Sequence, residues 1–181
     1  GPVTLTIQPG VILKFPRRSL PGGLTAPGGL FSVGTAGLAA NGAGVLHAVG
    51  TPAAPIVFTS GEAAPAPGDW QGLWLATAAG SRLQHVELRY AGAPIALSSG
   101  NCRPAGTGDA AALLVGNLTG EYVPPADLLT SGTIAGSAGH GISALWQAAT
   151  VDAPVLTSGN TFTGNAAGRC AQTFNGLTGG G

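Results

Sequence analysis

Very short apolar runs separated by turn residues constrain this chain more than any other feature of its sequence. The first example is VTLTIQPGVILKF, residues 3–15, in which two alternating runs flank a Gln8-Pro9-Gly10 corner. Apolar residues that alternate with other residues predict β-strands, and strands this short with a sharp corner between them fit a fold whose faces are short. Glycine suits such corners because it adopts positive φ angles without a steric penalty.

The same unit recurs along the chain, and no sustained helical spacing of apolar residues is present. The predicted strands cover residues 3–7, 11–15, 43–49, 55–59, 70–76, 82–90, 94–98, 111–115, 128–134, 141–146 and 154–157, with a last piece near 172–174. They come in pairs or triplets that form a degenerate repeat of roughly 20–30 residues. Such a repeat predicts a β-solenoid, in which each coil lies on the previous one and short strands enclose a narrow apolar interior.

A β-sandwich is the alternative fold, since it is also built from short strands. A sandwich would show more Asn-Gly turns between long alternating strands, and neither Asn41-Gly42 nor Asn175-Gly176 stands between two such strands. We therefore expect a single domain over residues 1–181 that several insertions interrupt. The predicted insertions are residues 16–37, 61–69, 99–110 and 116–127.

The chain carries almost no charge. Its seven basic and seven acidic residues make up 8% of the sequence and cancel, whereas soluble domains usually carry about 25% charged residues. Because there is no basic patch, nucleic acid and an anionic membrane surface are not expected as partners. No apolar run is long enough to cross a membrane. A neutral surface repels its own copies only weakly, which favours self-association.

Residue usage indicates an extracellular protein, because Lys14 is the single lysine, methionine is absent, and the surface is expected to be rich in threonine, serine, asparagine and glycine. Two cysteines in an oxidising compartment usually pair, so we expect a disulfide between Cys102 and Cys170; the alternative is two free thiols. The cysteine spacing matches no metal motif, and no cofactor is expected. Asn117 begins an Asn-Leu-Thr acceptor sequence inside an insertion and is a candidate glycosylation site.

Six segments resemble one known family and occur in the order in which that family has them. They are VTLTIQPGVILKF, VLHAVGTPAAPIVFTS, GDWQGLWL, SRLQHVELRYAG, HGISALW and LTSGNTFTGN. These segments look like successive coils of secreted bacterial and archaeal right-handed parallel β-helix repeat proteins, which have the pectate-lyase-like fold. The resemblance implies an all-β, right-handed parallel β-helix of about five or six coils. It implies no particular function, because this fold hosts lyases, glycosidases, adhesins and repeats of unknown role.

Candidate catalytic groups are few. Carbohydrate-cleaving β-helices use clustered carboxylates, and in this sequence no two acidic residues lie within a few positions of each other. Several acidic residues lie in or beside insertions, where the fold could bring them together: Glu62, Asp69, Asp109, Glu121 and Asp127. His85, Glu87 and Arg89 alternate in QHVELRY, which predicts one shared strand face with weak surface ion pairs. We predict no catalytic residue and no metal ligand, so the chain is not expected to be an enzyme.

Trp70 and Trp74 lie four positions apart on one predicted strand and are therefore expected to share a face. Exposed aromatic rings stack on sugars, so this pair is a candidate carbohydrate platform and glycans are candidate partners. The family resemblance instead implies that Trp70 is a packing residue at the start of a coil.

The ends of the chain suggest a function. The sequence starts almost directly at VTLTI and finishes with GLTGGG, without the further strand and the caps that the resembling family usually has. An uncapped solenoid end offers unpaired backbone groups and apolar residues to another chain. We therefore predict an extracellular or cell-surface structural protein whose copies stack head to tail into a filament or surface layer. The predicted contact residues are Val3, Leu5 and Ile7 at one end and Thr173, Phe174 and Leu177 at the other. The alternatives are a carbohydrate-binding or carbohydrate-active module that uses the loop side, and an adhesin fragment of a longer surface protein.

Overall fold

A computed structural model describes residues 3–34, 44–76, 80–95, 110–115, 127–146, 159–166 and 170–173. Within these ranges the strands are β1 Val3–Ile7, β2 Ile12–Phe15, β3 Arg18–Ser19, β4 Thr25–Ala26, β5 Gly28–Val33, β6 Gly44–Val49, β7 Ile56–Ser60, β8 Trp70–Leu75, β9 Arg82–Gln84, β10 Val86–Arg89, β11 Ala111–Val115, β12 Leu129–Thr130, β13 Thr133–Ala135, β14 His140–Trp146, β15 Thr161–Thr163 and β16 Cys170–Thr173. A short 3-10 helix, Pro21–Gly23, lies between β3 and β4. In this part of the chain no helix is long and apolar enough to span a membrane.

Most of these strands belong to three parallel sheets that the chain visits in a fixed order. Sheet 1 has the order β1-β6-β9-β12, sheet 2 has β2-β7-β10-β13-β15, and sheet 3 has β5-β8-β11-β14-β16. We call one passage through the sheets a repeat: repeat 1 is β1, β2 and β5, repeat 2 is β6, β7 and β8, repeat 3 is β9, β10 and β11, repeat 4 is β12, β13 and β14, and repeat 5 includes β15 and β16. The predicted all-β character is confirmed. The three large sheets are parallel, and β3 and β4 form a small antiparallel sheet.

Each sheet contributes ladders of apolar residues, one from each repeat, to a common core. In sheet 2 the ladder is Leu13, Phe58, Leu88, Ile134 and Phe162, which follow one another in register. Every member of this ladder lies in the main hydrophobic cluster or packs against it. Because side chains alternate along a strand, the neighbouring positions point away from the core and form separate outer rows.

The corner before sheet 2 repeats a left-handed backbone conformation. Gly10, His85, Ser131 and Gly159 have φ angles of +80°, +48°, +51° and +70°, and the strand register places all of them at the same position of their repeats. In repeat 2 this position is Pro55, whose ring fixes φ near about −65°. The predicted corner at Gln8-Pro9-Gly10 is therefore the first of a column of corners, which sets where each strand of sheet 2 begins.

Corners also divide two of the strands that the sequence predicts as continuous. Residues 82–90 form β9 and β10, with the corner at His85 between them, and residues 128–134 form β12 and most of β13 around Ser131. Non-glycine residues seldom adopt positive φ, so nothing in the local sequence marks these two corners. Residues 28–33, inside the segment predicted as an insertion, form β5 and complete repeat 1.

Sheet 3 buries apolar residues on both of its faces in repeats 2 and 3. All five residues of β11 are buried. Leu113 belongs to the main core, while its neighbour Leu114 packs with Trp74 and Ile95 in a second cluster. Consecutive strand residues point in opposite directions, so the second cluster covers the outer face of this sheet. Burial on both faces explains why AALLV is a continuous apolar run and not an alternating one.

Candidate functional site

The end of the sheets formed by repeat 1 exposes apolar side chains beside free strand edges. Among the described residues β1, β2 and β5 each pair on one side only, with β6, β7 and β8. Leu5 is 45% exposed, whereas Leu46, its partner in the register, is fully buried. The two leucines differ because Leu46 has a strand on each side and Leu5 does not. Val3 and Ile12 are 79% and 58% exposed at the same end.

We call this surface the repeat-1 end and define it by Val3, Leu5 and Ile12 together with the free edges of β1, β2 and β5. Ile7, which was predicted as a contact residue with Val3 and Leu5, is only 8% exposed and belongs to the main core. At the far end of the sheets the terminal described strands are β15 and β16. Thr173 is the last residue of β16 and pairs with Trp146, while Phe174 and Leu177 lie outside the described residues.

A buried polar network lies beside the corner that connects sheet 2 to sheet 3. Asp69 is 3% exposed, and its Oδ2 accepts hydrogen bonds from Ser60 Oγ at 2.6 Å and from the Ala66 N–H at 2.8 Å. Arg17 Nη1 lies 3.5 Å from Asp69 Oδ1, and the Arg17 N–H donates to Glu62 Oε1 at 2.7 Å. The Glu62 N–H in turn donates to Ser60 Oγ at 3.0 Å.

This network fastens the 61–69 loop to the chain after β2. Glu62 and Asp69, which the sequence analysis named as carboxylates that could converge, are therefore brought together through Arg17 and Ser60. The short hydrogen bonds of both carboxylates go to the protein's own backbone or to Ser60. Neither Arg17 nor Ser60 was recognised from the sequence, because Arg17 lies 52 positions from Asp69 and local spacing gives no sign of the contact.

A shallow groove of about 460 Å³ lies beside the outer face of sheet 1. Its described lining includes His47, whose Nε2 lies 3.0 Å from the Gly80 carbonyl oxygen. It also includes Arg82 and Asp127, which form an exposed ion pair at 2.8 Å. Of the carboxylates that the structure describes, only Asp127 lines this groove, and Asp109 and Glu121 lie outside the described residues. Among the described residues, the groove therefore holds one carboxylate and not the pair that carbohydrate cleavage needs.

The predicted charged row of sheet 2 is confirmed for two of its three members. Arg89 Nη2 and Glu87 Oε2 lie 2.6 Å apart on β10 and form a partly exposed ion pair. The prediction is wrong for His85, which lies at the corner before β10 with φ +48° and not within the strand. Partly exposed ion pairs of this kind contribute about 0–1 kcal/mol to stability. Among the described residues no group of three or more histidine, cysteine or acidic side chains is arranged to hold a metal ion.

The prediction that Trp70 and Trp74 share a strand face is wrong. Trp70 lies in the main core, where its ring stacks on Phe15 at a centroid distance of 4.3 Å, whereas Trp74 lies in the outer cluster of sheet 3. The cause is Gly72, whose φ of +132° interrupts the alternation of β8. Trp70 and Trp74 are 0% and 5% exposed, so neither presents the open ring face that sugar stacking requires.

Other residues singled out in the sequence lie outside the described residues or are described in part. Cys170 begins β16, and Cys102 is not among the described residues, so the disulfide stays a prediction. The same holds for glycosylation at Asn117. Comparison with protein-family models, with curated proteins and with solved structures gives no match.

Proposed function

We propose that the chain is a right-handed parallel β-helix that acts as an extracellular structural subunit, with copies that stack end to end. The fold part is supported by the order of the strands, since in repeats 1 to 4 the chain passes through sheets 1, 2 and 3 in turn before it returns to the first. Connections between parallel strands of one sheet are right-handed in about 98% of cases, which supports the direction of the path. The near absence of charge and of lysine supports an extracellular setting.

The observation that carries the stacking proposal is the repeat-1 end. Val3 and Leu5 continue the inward positions of sheet 1 but are 79% and 45% exposed, and Ile12 is 58% exposed. Ile12 lies on the outward face of β2, since its neighbour Leu13 is the inward residue, so another repeat would cover it only in part. Covering Val3, Leu5 and part of Ile12 would contribute about 2–4 kcal/mol by the hydrophobic effect. That alone does not offset the translational and rotational entropy lost on association. Pairing of the free strand edges must add to it, and both contributions arise together when another repeat is placed on this end.

Another copy of the chain is the occupant that we favour, because at the far end of the described residues β15 and β16 continue sheets 2 and 3 with the same kind of parallel strand. A head-to-tail contact that does not close into a ring produces an open fibre. The net charge of zero removes the long-range repulsion that would oppose such growth. We do not extend the proposal to carbohydrate cleavage, since the described carboxylates do not line a common groove.

The test compares two substitutions of the same charge on one strand. Leu5→Asp places a carboxylate on the inward, end-facing position of β1, whereas Thr6→Asp places it on the adjacent outward position, which is exposed. We expect wild-type protein to form fibres above a critical concentration, Thr6→Asp to do the same, and Leu5→Asp to remain dispersed. Negative-stain microscopy and sedimentation across a concentration series measure this, with far-UV circular dichroism as the check that the sheets are intact.

Two results would overturn the proposal. Discrete monomers of the wild-type protein at every concentration would show that copies do not stack, and would turn attention to a different occupant of the repeat-1 end, such as a preceding segment of the same polypeptide. Fibres of folded Leu5→Asp at the wild-type critical concentration would show that copies join elsewhere.

A further inference from the structure

Sheet 2 contains one strand from each of the five repeats. Its terminal strands are β2 in repeat 1 and β15 in repeat 5. The register of the sheet makes Leu13 equivalent to Phe162, with Phe58, Leu88 and Ile134 between them. Leu13 and Phe162 are both only partly buried, whereas the residues between them are fully buried. The same ladder is therefore incomplete at its two ends.

The backbone groups at these two ends have complementary directions. In repeat 1, the carbonyl groups of Val11 and Phe15 accept hydrogen bonds from repeat 2. Because backbone groups alternate in direction along a strand, the N–H and C=O groups of Ile12 and Lys14 point toward the free edge of β2. In repeat 5, the Thr161 N–H and the Thr163 carbonyl bond to repeat 4. The backbone N–H and C=O groups of Phe162 therefore point toward the free edge of β15. The backbone groups of Ile12 and Lys14 thus meet those of Phe162 when the two edges are brought together.

The corners select one register among those that the alternation allows. A slip of one residue would turn Leu13 outward beneath an inward Phe162. A slip of two residues would keep both residues inward but would separate the left-handed corners, which stand at Gly10 and Gly159 and occupy the same position of their repeats. Only the unshifted register lets the corner column run on from one copy to the next.

We infer that β15 of one copy pairs in parallel with β2 of the next, with Thr161 beside Ile12, Phe162 beside Leu13 and Thr163 beside Lys14. This inference rests on the proposed stacking function and deepens it, because it states which strands meet and in which register. The occupant is a second copy in the head-to-tail sense, since this arrangement continues the parallel ladder of sheet 2 and closes its apolar row. A two-fold dimer through repeat 1 would instead place β2 against β2 in antiparallel pairing.

The experiment is a charge cycle on the outer face, where substitutions leave the core of each copy unchanged. Lys14 and Thr163 are exposed and occupy equivalent positions of their repeats, and Thr161 is exposed on the same face of β15 two positions earlier. We expect Thr163→Lys to raise the critical concentration about 1.5- to fivefold, the range that cross-strand like-charge pairs give. Adding Lys14→Glu should restore the wild-type value, and Lys14→Glu alone should change it little.

Thr161→Lys is the out-of-register control. In the inferred register residue 161 lies beside Ile12, so Thr161→Lys should change the critical concentration less than Thr163→Lys does. Adding Lys14→Glu to Thr161→Lys should then change the critical concentration little. The measurement is the critical concentration by sedimentation at low salt and again in about 1 M salt, where screening reduces the Debye length to about 3 Å and the coupling should disappear. Circular dichroism of each variant below its critical concentration checks that the copies are folded.

The outcomes separate this inference from the function on which it rests. Stronger coupling of Lys14 to Thr161 than to Thr163 would overturn the register, and fibres whose critical concentration responds to none of these charges would overturn the sheet 2 contact. Either result leaves stacking itself in place. Assembly of the wild-type protein that stops at a dimer would favour the two-fold arrangement and overturn the inference, and wild-type protein that never assembles would remove the proposed function as well.

Discussion

Replacement of Asp69 by alanine tests whether the buried polar network holds the 61–69 loop against the sheets. The carboxylate is 3% exposed and accepts bonds of 2.6 Å from Ser60 and 2.8 Å from Ala66. Hydrogen bonds to an ionised group contribute about 1.5–3 kcal/mol each, and the 3.5 Å contact with the partly exposed Arg17 adds little. Relief of the cost of burying a charge offsets part of this, so Asp69→Ala should lower the free energy of unfolding by about 2–4 kcal/mol.

Asp127→Ala is the matched control, because Asp127 is also a loop aspartate that contacts an arginine. Its ion pair with Arg82 is short, at 2.8 Å, but the Asp127 side chain is 59% exposed. Exposed pairs contribute about 0–1 kcal/mol, so this variant should unfold close to the wild-type midpoint. The comparison therefore separates the effect of burial and hydrogen bonding from the mere loss of a carboxylate.

Urea unfolding followed by tryptophan fluorescence is the assay, because the buried Trp70 is adjacent to Asp69. Repeat proteins can unfold in parts, so hydrogen exchange of residues 61–69 is measured in parallel as a local readout. Faster exchange confined to this loop, together with the lower midpoint, is the expected result for Asp69→Ala. Equal free energies of unfolding for Asp69→Ala and Asp127→Ala, within about 0.5 kcal/mol, would refute the reasoning that the network stabilises the fold.

Two further predictions concern backbone conformation, and both are measured by the urea midpoint. Gly72→Ala should lower the free energy of unfolding by about 3 kcal/mol or more, because φ is +132° and the added carbon would lie 2.5 Å from the Ala111 carbonyl oxygen. Gly29→Ala is the control, since its new carbon meets nothing within 4 Å, and it should change this free energy by about 0.5 kcal/mol at most. Equal losses for the two variants would contradict the role of Gly72. Ser131→Gly should raise the free energy of unfolding by about 0.5–1 kcal/mol, because glycine adopts the left-handed corner at φ +51° without the strain of a side chain. Thr130→Gly in β12 is the control and should lower the free energy of unfolding. A lower urea midpoint for Ser131→Gly would show that this corner is not strained.

Local patterns predicted much of the strand arrangement. Residues 3–7 and 111–115 form strands with the predicted bounds, and residues 70–76 form β8 one residue shorter. Alternation and bounding glycines are properties of neighbouring residues, so they can be read without knowing the fold. The corners at His85 and Ser131 were not predicted, because non-glycine residues seldom adopt positive φ and the local sequence does not mark these positions.

The candidate sites were less predictable than the strands, since they depend on which repeats are neighbours. Glu87 and Arg89 were correctly placed on one face because a period of two decides it. A period of two would also place Trp70 and Trp74 on one face. Gly72 interrupts this alternation where β8 approaches the backbone of Ala111, so the two rings lie on opposite faces. The sequence shows that residue 72 is glycine, but it does not show that β8 and the Ala111 backbone come close together at this position.

The sequence by itself determined that this chain forms short β-strands joined by tight corners, in a repeating order, because side-chain alternation and backbone freedom act over a few residues. Only the tertiary structure decided that Arg17, Ser60 and Asp69 meet, and that Leu5 is exposed whereas Leu46 is buried. The contact of Arg17 with Asp69 and the covering of Leu46 by β1 join neighbouring repeats. Insertions of different lengths separate these repeats in the sequence, so local patterns do not show which residues become neighbours. Whether a side chain is covered therefore depends on the presence of another repeat beside it, which is a property of the stack and not of any segment.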